Sequence, residues 1–240
     1  MNEITTNRQA LIADNPQLVD LSRQFYRDDV EYHNFDGHIL DTWEVARHIA
    51  SACMSKGHTI GLMVLDADVL FHDSNVHVPL KSSPFKTLER RSAWIARGAL
   101  EELDCGYTTE QIKQVSGDII ATTNGIRPDT REGAILNRAD IANIGFTVGT
   151  FLDTSVRIIK EYIQINELAS DLVTVRRWLE NAPLVLRGLL NDTPEVPDFD
   201  LSLILAEDPP FYERGIRNID VLANQTAEDF LIYVKSVGKA

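Results

Sequence analysis

An all-α fold is predicted by three features of the 240-residue sequence. Apolar residues recur at three- and four-residue steps nearly throughout, and helix-start signals precede several of those stripes. No polar–apolar alternation is long enough to seed a sheet.

Asn15-Pro16 reads as an N-cap followed by a proline at the first helical position, with Leu18, Leu21 and Phe25 on one face. From His38 to Met54, Ile39, Trp43, Ala46, Ala50 and Cys53 mark an amphipathic helix. Ile60 to Phe71 is apolar almost all round and suits a central buried helix, a strand being the alternative, for which twelve residues is long. Leu88, Ile95, Ala99 and Leu103 form a further face ending near Gly106. Thr108-x-x-Gln111 is a capping-box pattern ahead of Ile112, Val115 and Ile119. Helical patterning returns over 134–145, 150–169 and 171–190, and the composition of 192–198 reads as a loop. Two short helices, near 211–223 and 227–236, close the pattern.

Hydrophobic residues make up 44% and charged residues 25%, enough apolar material for a core and unlike a mostly disordered chain. Against a typical domain of about 150 residues, the length favours one large domain over 1–240, its segment after about residue 150 packing as an extension. Thirty-six acids against 23 bases leave a charge of -13. Such a surface repels phosphodiester backbones and argues against duplex nucleic acid as a partner. It is compatible with a small phosphorylated molecule held by a metal, because a local ion outweighs the global field. Cys53 and Cys105 make no disulfide framework, Met1–Thr6 lacks a signal-peptide pattern, and no apolar run spans a membrane. A reduced, cytoplasmic protein is the expectation.

All six histidines fall between positions 33 and 77. His72-Asp73 ends the apolar run Val64–Phe71, where two ionisable groups are costly unless compensated. A divalent cation compensates both, and so does exposure where the helix leaves the core. His38 opens an amphipathic helix, either facing the core or bonding a carbonyl. Asp140 lies between Arg138, a possible partner, and the apolar Ile141 and Ile144.

The order His…His-Asp…Asp on successive helices resembles the HD superfamily of metal-dependent phosphohydrolases. The stretches Tyr32-His33-Asn34 with His38-Ile39, Leu70-Phe71-His72-Asp73 and Leu88–Ala93 are similar to one subgroup of predicted HD phosphohydrolases. So are Ile119–Thr123, Arg138–Gly145 and Tyr212–Asn218, a likeness running from about residue 20 to 223. The resemblance implies a helical bundle with its metal-binding core over about 20–150 and a C-terminal helical extension over about 151–240. It implies His38, His72, Asp73 and Asp140 as ligands of one divalent ion, with Mn, Zn, Fe, Co and Ni all compatible.

One departure bears on the first ligand. The paired histidines of similar proteins are usually four apart, whereas His33 and His38 are five apart. Either is open as the first ligand. His38 is preferred for its helix's periodicity, leaving His33 as a general acid. Asp73 would bind the metal and orient the nucleophile. Glu89, sharing a helix face with Ser92, would support a ligand or deprotonate water. Arg217 and Asn218 would hold an anionic group or tie the C-terminal helices to the core, and His77 would stand at the rim. The implied activity is hydrolysis of a small phosphorylated compound, a nucleotide among the possibilities. The alternative is a non-catalytic regulatory module that binds metal or nucleotide.

Overall fold

Helical structure begins before the proline that announces it. In the computed structural model, which describes residues 8–103, 106–191, 196, 198–207 and 209–236, α1 (Arg8–Asp14) precedes α2 (Pro16–Arg23). Asn15 does not cap α2 with its side chain; its amide donates instead to the Leu11 carbonyl at 3.3 Å. A π-helical turn, Phe35–Ile39, runs directly into α3 (Leu40–Ser55). Then come α4 (Leu62–Phe71), α5 (Leu88–Glu102), α6 (Thr109–Ile120) and α7 (Arg131–Asp140). A 3-10 turn, Ala142–Gly145, leads to α8 (Val148–Ile165) and α9 (Leu172–Asn191). The short α10 (Leu201–Leu205), α11 (Phe211–Ala223) and α12 (Ala227–Ser236) follow.

The class is all-α. Among the described residues the only β contact is an isolated bridge between Val196 and Phe199. Cys105 and most of the 192–198 loop lie outside the described residues. No helix among the described residues is long and apolar enough to cross a membrane.

The capping box forms as its sequence dictates. Gln111 N–H donates to Thr108 Oγ1 at 3.2 Å, and Thr108 N–H donates to Gln111 Oε1 at 2.9 Å. The uniformly apolar stretch becomes the central helix: every residue of α4 from Val64 to Phe71 is buried, with α2, α3, α5, α6 and α7 packed around it. The charge of Asp66 inside this helix is met by Arg47, whose Nε and Nη2 each donate at 2.6 Å, and by Trp43 Nε1 at 2.6 Å. That clamp fixes α3 against α4.

The first apolar core spans α1 to α7. A second gathers Ile144, Phe151, Val156, Ile159, Val175, Leu190, Phe211, Ile219 and Phe230 from α8, α9, α11, α12 and the 3-10 turn. The two meet at that turn. Gly145 is required there, since a Cβ would stand 2.1 Å from Phe211 Cδ2. Arg138 stacks over the Phe211 ring, 3.3 Å from its centroid, and its Nη2 donates to Glu207 at 2.5 Å. Arg138 is therefore engaged by Glu207, not by Asp140. Burial lowers this guanidinium to about 10, with Glu207 opposing the shift.

Candidate metal centre

α4 delivers two adjacent side chains, His72 and Asp73, where it leaves the core. The π turn supplies His38 and the last residue of α7 supplies Asp140. His38 Nε2 lies 3.2 Å from Asp140 Oδ1, 3.3 Å from Asp73 Oδ2 and 3.4 Å from His72 Nε2. His72 Nε2 is 3.3 Å from Asp73 Oδ2 and 3.4 Å from Asp140 Oδ1. The four donor atoms thus lie within 4.8 Å of one another, and this is the one such cluster among the described residues.

The donor chemistry fits a divalent cation. His72 Nδ1 lies 2.8 Å from the Val69 carbonyl, which can only accept, so Nδ1 carries the proton and Nε2 faces the cluster. Two imidazole nitrogens facing each other beside two carboxylate oxygens form a nitrogen–oxygen set suited to zinc, manganese, iron, cobalt or nickel. His38, His72, Asp73 and Asp140 are placed to bind a metal ion.

Without a cation the carboxylates and imidazoles hold each other charged. Burial by itself would push both histidines down, but Asp73 and Asp140 outweigh it and hold His38 above its ordinary range and His72 well above it. For Asp73 and Asp140, burial would push the carboxyls up, and the neighbouring imidazoles reverse this, holding both well below the usual carboxylate range.

The five-residue step between His33 and His38 is accommodated by the π turn. Ile39 N–H reaches back to the Asn34 carbonyl at 3.5 Å, five residues earlier. Asn34 caps the turn by accepting from Gly37 N–H at 2.7 Å. A Cβ on Gly37 would stand 2.8 Å from Asn34 Oδ1, which explains a glycine in this wide turn. His38 falls among the four donors, while His33 stands beside them with Nε2 3.7 Å from Asp73 Oδ2. The two rings meet edge to face at 5.3 Å, and the Tyr32 ring lies 4.5 Å from that of His38.

A residue that sequence reading passes over completes this corner. Glu161 of α8 is buried, and its Oε2 accepts from the backbone N–H of Tyr32 and of His33, both at 2.8 Å. Its Oε1 lies 2.6 Å from His33 Nδ1. Burial would raise its carboxyl, but His33 prevails and lowers it. With Nδ1 engaged, His33 Nε2 is turned toward Asp73. No local spacing signals this partnership, because 128 residues separate the two side chains.

The remaining sequence candidates occupy other positions. Glu89 is half-buried in the first turn of α5, and Ser92 donates to the Ser74 carbonyl at 3.2 Å, next to Asp73. His77 is half-buried with Nδ1 unpartnered. Arg217 is exposed on α11 and bonds the Glu213 carbonyl. Asn218 is buried and gives its amide to the carbonyls of Ile144 at 2.7 Å and Phe146 at 2.8 Å, tying α11 to the segment after Asp140.

The centre opens on a cleft of about 270 Å³, walled by Tyr32, His38 and Asp140 on one side and Thr150, Thr154 and Arg157 of α8 on the other. No protein-family model matches the chain, and neither does any curated protein or solved structure.

Proposed function

We propose that the chain is a metal-dependent phosphohydrolase of the HD type, acting on a small phosphorylated compound. The observation that carries the reading is the cluster of His38, His72, Asp73 and Asp140, placed to bind a metal ion, and their order along the helices resembles that of the HD superfamily. A divalent cation bound there would supply Lewis acidity, polarising a phosphoryl oxygen and making water a better nucleophile at neutral pH.

The chain's own residues then have distinct tasks. His38, His72, Asp73 and Asp140 hold the ion. His33, oriented through Nδ1 by Glu161, presents Nε2 toward Asp73 and would give its proton to the departing oxygen. Tyr32 supports the His38 ring, its hydroxyl accepting from Asn143 at 2.9 Å. Glu89 enters as a base only if Glu89→Gln abolishes turnover while leaving metal content intact.

The test is elemental analysis of purified protein beside a His72→Ala/Asp73→Ala double variant shown by circular dichroism to fold. Near-stoichiometric transition metal in the wild type alone, followed by release of phosphate from simple esters, supports the reading. Metal with nucleotide-induced stabilisation but no turnover would make the chain a regulatory module. No metal in either protein, even after reconstitution, ends the hydrolase reading.

A further inference from the structure

Two stripes of α8 line two separate hollows. Thr150, Asp153, Thr154 and Arg157 face the cleft of the metal centre. Phe151, Thr154, Ser155, Ile158 and Tyr162, a step around the same helix, face a second cavity of about 340 Å³ closed by α9. The two hollows share Thr154 and Asn143 as wall residues, so they are neighbours. Their chemistry differs. The α9 side of the second cavity presents Trp178, Ala182 and Leu186, with Arg177 and Asn181 its polar members. Trp178 is held in place by stacking on Phe230, with ring centroids 5.7 Å apart and planes 5° apart.

The cleft itself is charged. Of its carboxylates beyond the metal centre, Asp41 pairs with Arg8 at 2.6 Å and Asp153 accepts from the Tyr233 hydroxyl. Arg157 is exposed and, among the described residues, has no hydrogen-bond or ion-pair partner. In a chain of net charge -13, an unpaired guanidinium beside a metal centre is positioned for an anion.

We propose that the two hollows form one composite substrate site: the metal centre and Arg157 take a phosphate head, and the α8–α9 cavity takes an apolar, ring-bearing group attached to it. This rests on the phosphohydrolase reading and narrows its substrate class to phosphate monoesters of apolar ring alcohols. A volume of about 340 Å³ lies at the lower end of ordinary small-molecule pockets, roughly 300–1,000 Å³, and suits a group of one or two rings. Thr154 and Asn143 wall both hollows, so a single molecule seated in both would pass over these two side chains.

Titration calorimetry on the Mn²⁺-loaded protein tests this with non-hydrolysable probes: methylphosphonate, phenylphosphonate and 1-naphthylphosphonate. The ring-bearing probes are expected to bind roughly tenfold or more tightly than methylphosphonate, as burial of a ring predicts. Ile158→Phe and Ala182→Leu, both in the second cavity and neither in the wall of the metal-centre cleft, should each erase that advantage while leaving methylphosphonate binding unchanged. Should Ala182→Leu fail to fold, the half-buried Ile158 position carries the test. Arg157→Gln should weaken all three probes by a similar several-fold factor.

Equal affinity for the three probes, absence of phosphonate binding, or a ring preference that survives both filling variants would overturn the proposal. A dimer whose interface fills the cavity and removes the ring preference would overturn it too. Failure of the hydrolase reading is separately visible: the ring preference and its loss in the variants would persist while 1-naphthyl phosphate was not hydrolysed.

Discussion

Glu161 and His33 are joined by a 2.6 Å contact between Oε1 and Nδ1, the same carboxylate accepting the backbone N–H groups of Tyr32 and His33. One side chain of α8 thereby fixes both the orientation of a ring and the path of the backbone that carries it. The two effects can be separated. Glu161→Gln keeps an acceptor for the backbone, and on the proposed hydrolase reading should lower turnover about 10–100-fold with metal content unchanged. Glu161→Ala leaves two backbone donors without their acceptor, and should also cost about 2 kcal/mol in urea unfolding. Equal turnover in wild type and both variants would remove His33 from the reaction.

Metal binding and protons compete at the centre. In the metal-free protein the raised values of His38 and His72 add stability that is fully present below about pH 6.5 and lost as pH rises through their higher folded values. The depressed values of Asp73 and Asp140 add stability present above about pH 4 and lost on acidification through their folded values. The metal-free cluster therefore contributes most between about pH 4 and 6.5. A metal needs neutral imidazoles, so its stabilisation should grow from pH 6 to pH 8. Scanning calorimetry with saturating Mn²⁺ should show a gain of about 3 kcal/mol, or roughly 5–10 °C, at pH 8 and a smaller one at pH 6.

A second acidic pair lies away from the centre. Asp68 of α4 is fully buried with neither oxygen partnered, and it faces Asp118 of α6, whose Oδ2 is unpartnered. Burial pushes Asp118 up to about 7, although Thr130 donates to its other oxygen at 2.5 Å. Burial likewise holds Asp68 well above the carboxylate range, with Asp118 adding to the shift. A raised carboxyl binds more protons folded than unfolded, so this pair withdraws stability as pH rises from about 4 to 7. Asp68→Asn gives Asp118 a donor and removes one charge. It should be nearly neutral at pH 5 and stabilising by about 2 kcal/mol at pH 8 in denaturant titrations. A gain independent of pH would show that the pair does not share a proton.

The junction of the two cores has little room. Gly145→Ala would press a methyl group into Phe211, the ring on which Arg138 stacks, and should destabilise the chain by about 2 kcal/mol. Phe211→Leu in the same chain should recover part of that loss, which a double-mutant cycle in urea would read.

The helical class, the buried nature of α4 and the capping box at Thr108 were legible because each is written in adjacent residues. The metal cluster was legible in part, since His72-Asp73 at the end of an apolar helix is a local anomaly and the superfamily resemblance named its distant companions. Glu161 was not, because a lone glutamate in an amphipathic helix carries no local mark of what it meets 128 residues away. α1 and α10, of seven and five residues, are too short for periodicity to declare them. Asn15 shows the limit of local rules: it has a capping residue's chemistry, yet its side chain bonds backward to Leu11.

The wide turn at Phe35–Ile39 also holds one residue more than an α-helical turn would between its hydrogen-bonded ends. In an unbroken α-helix an added residue would rotate everything after it by about 100°. That would carry Trp43, Ala46 and Ala50 off the face that meets α4 and α7. Here the surplus is taken up within a single turn, and those three side chains remain fully buried. The turn thus sets the angle at which α3 enters the bundle, and the same five residues that carry His38 to the cluster also put Trp43, Ala46 and Ala50 into the core.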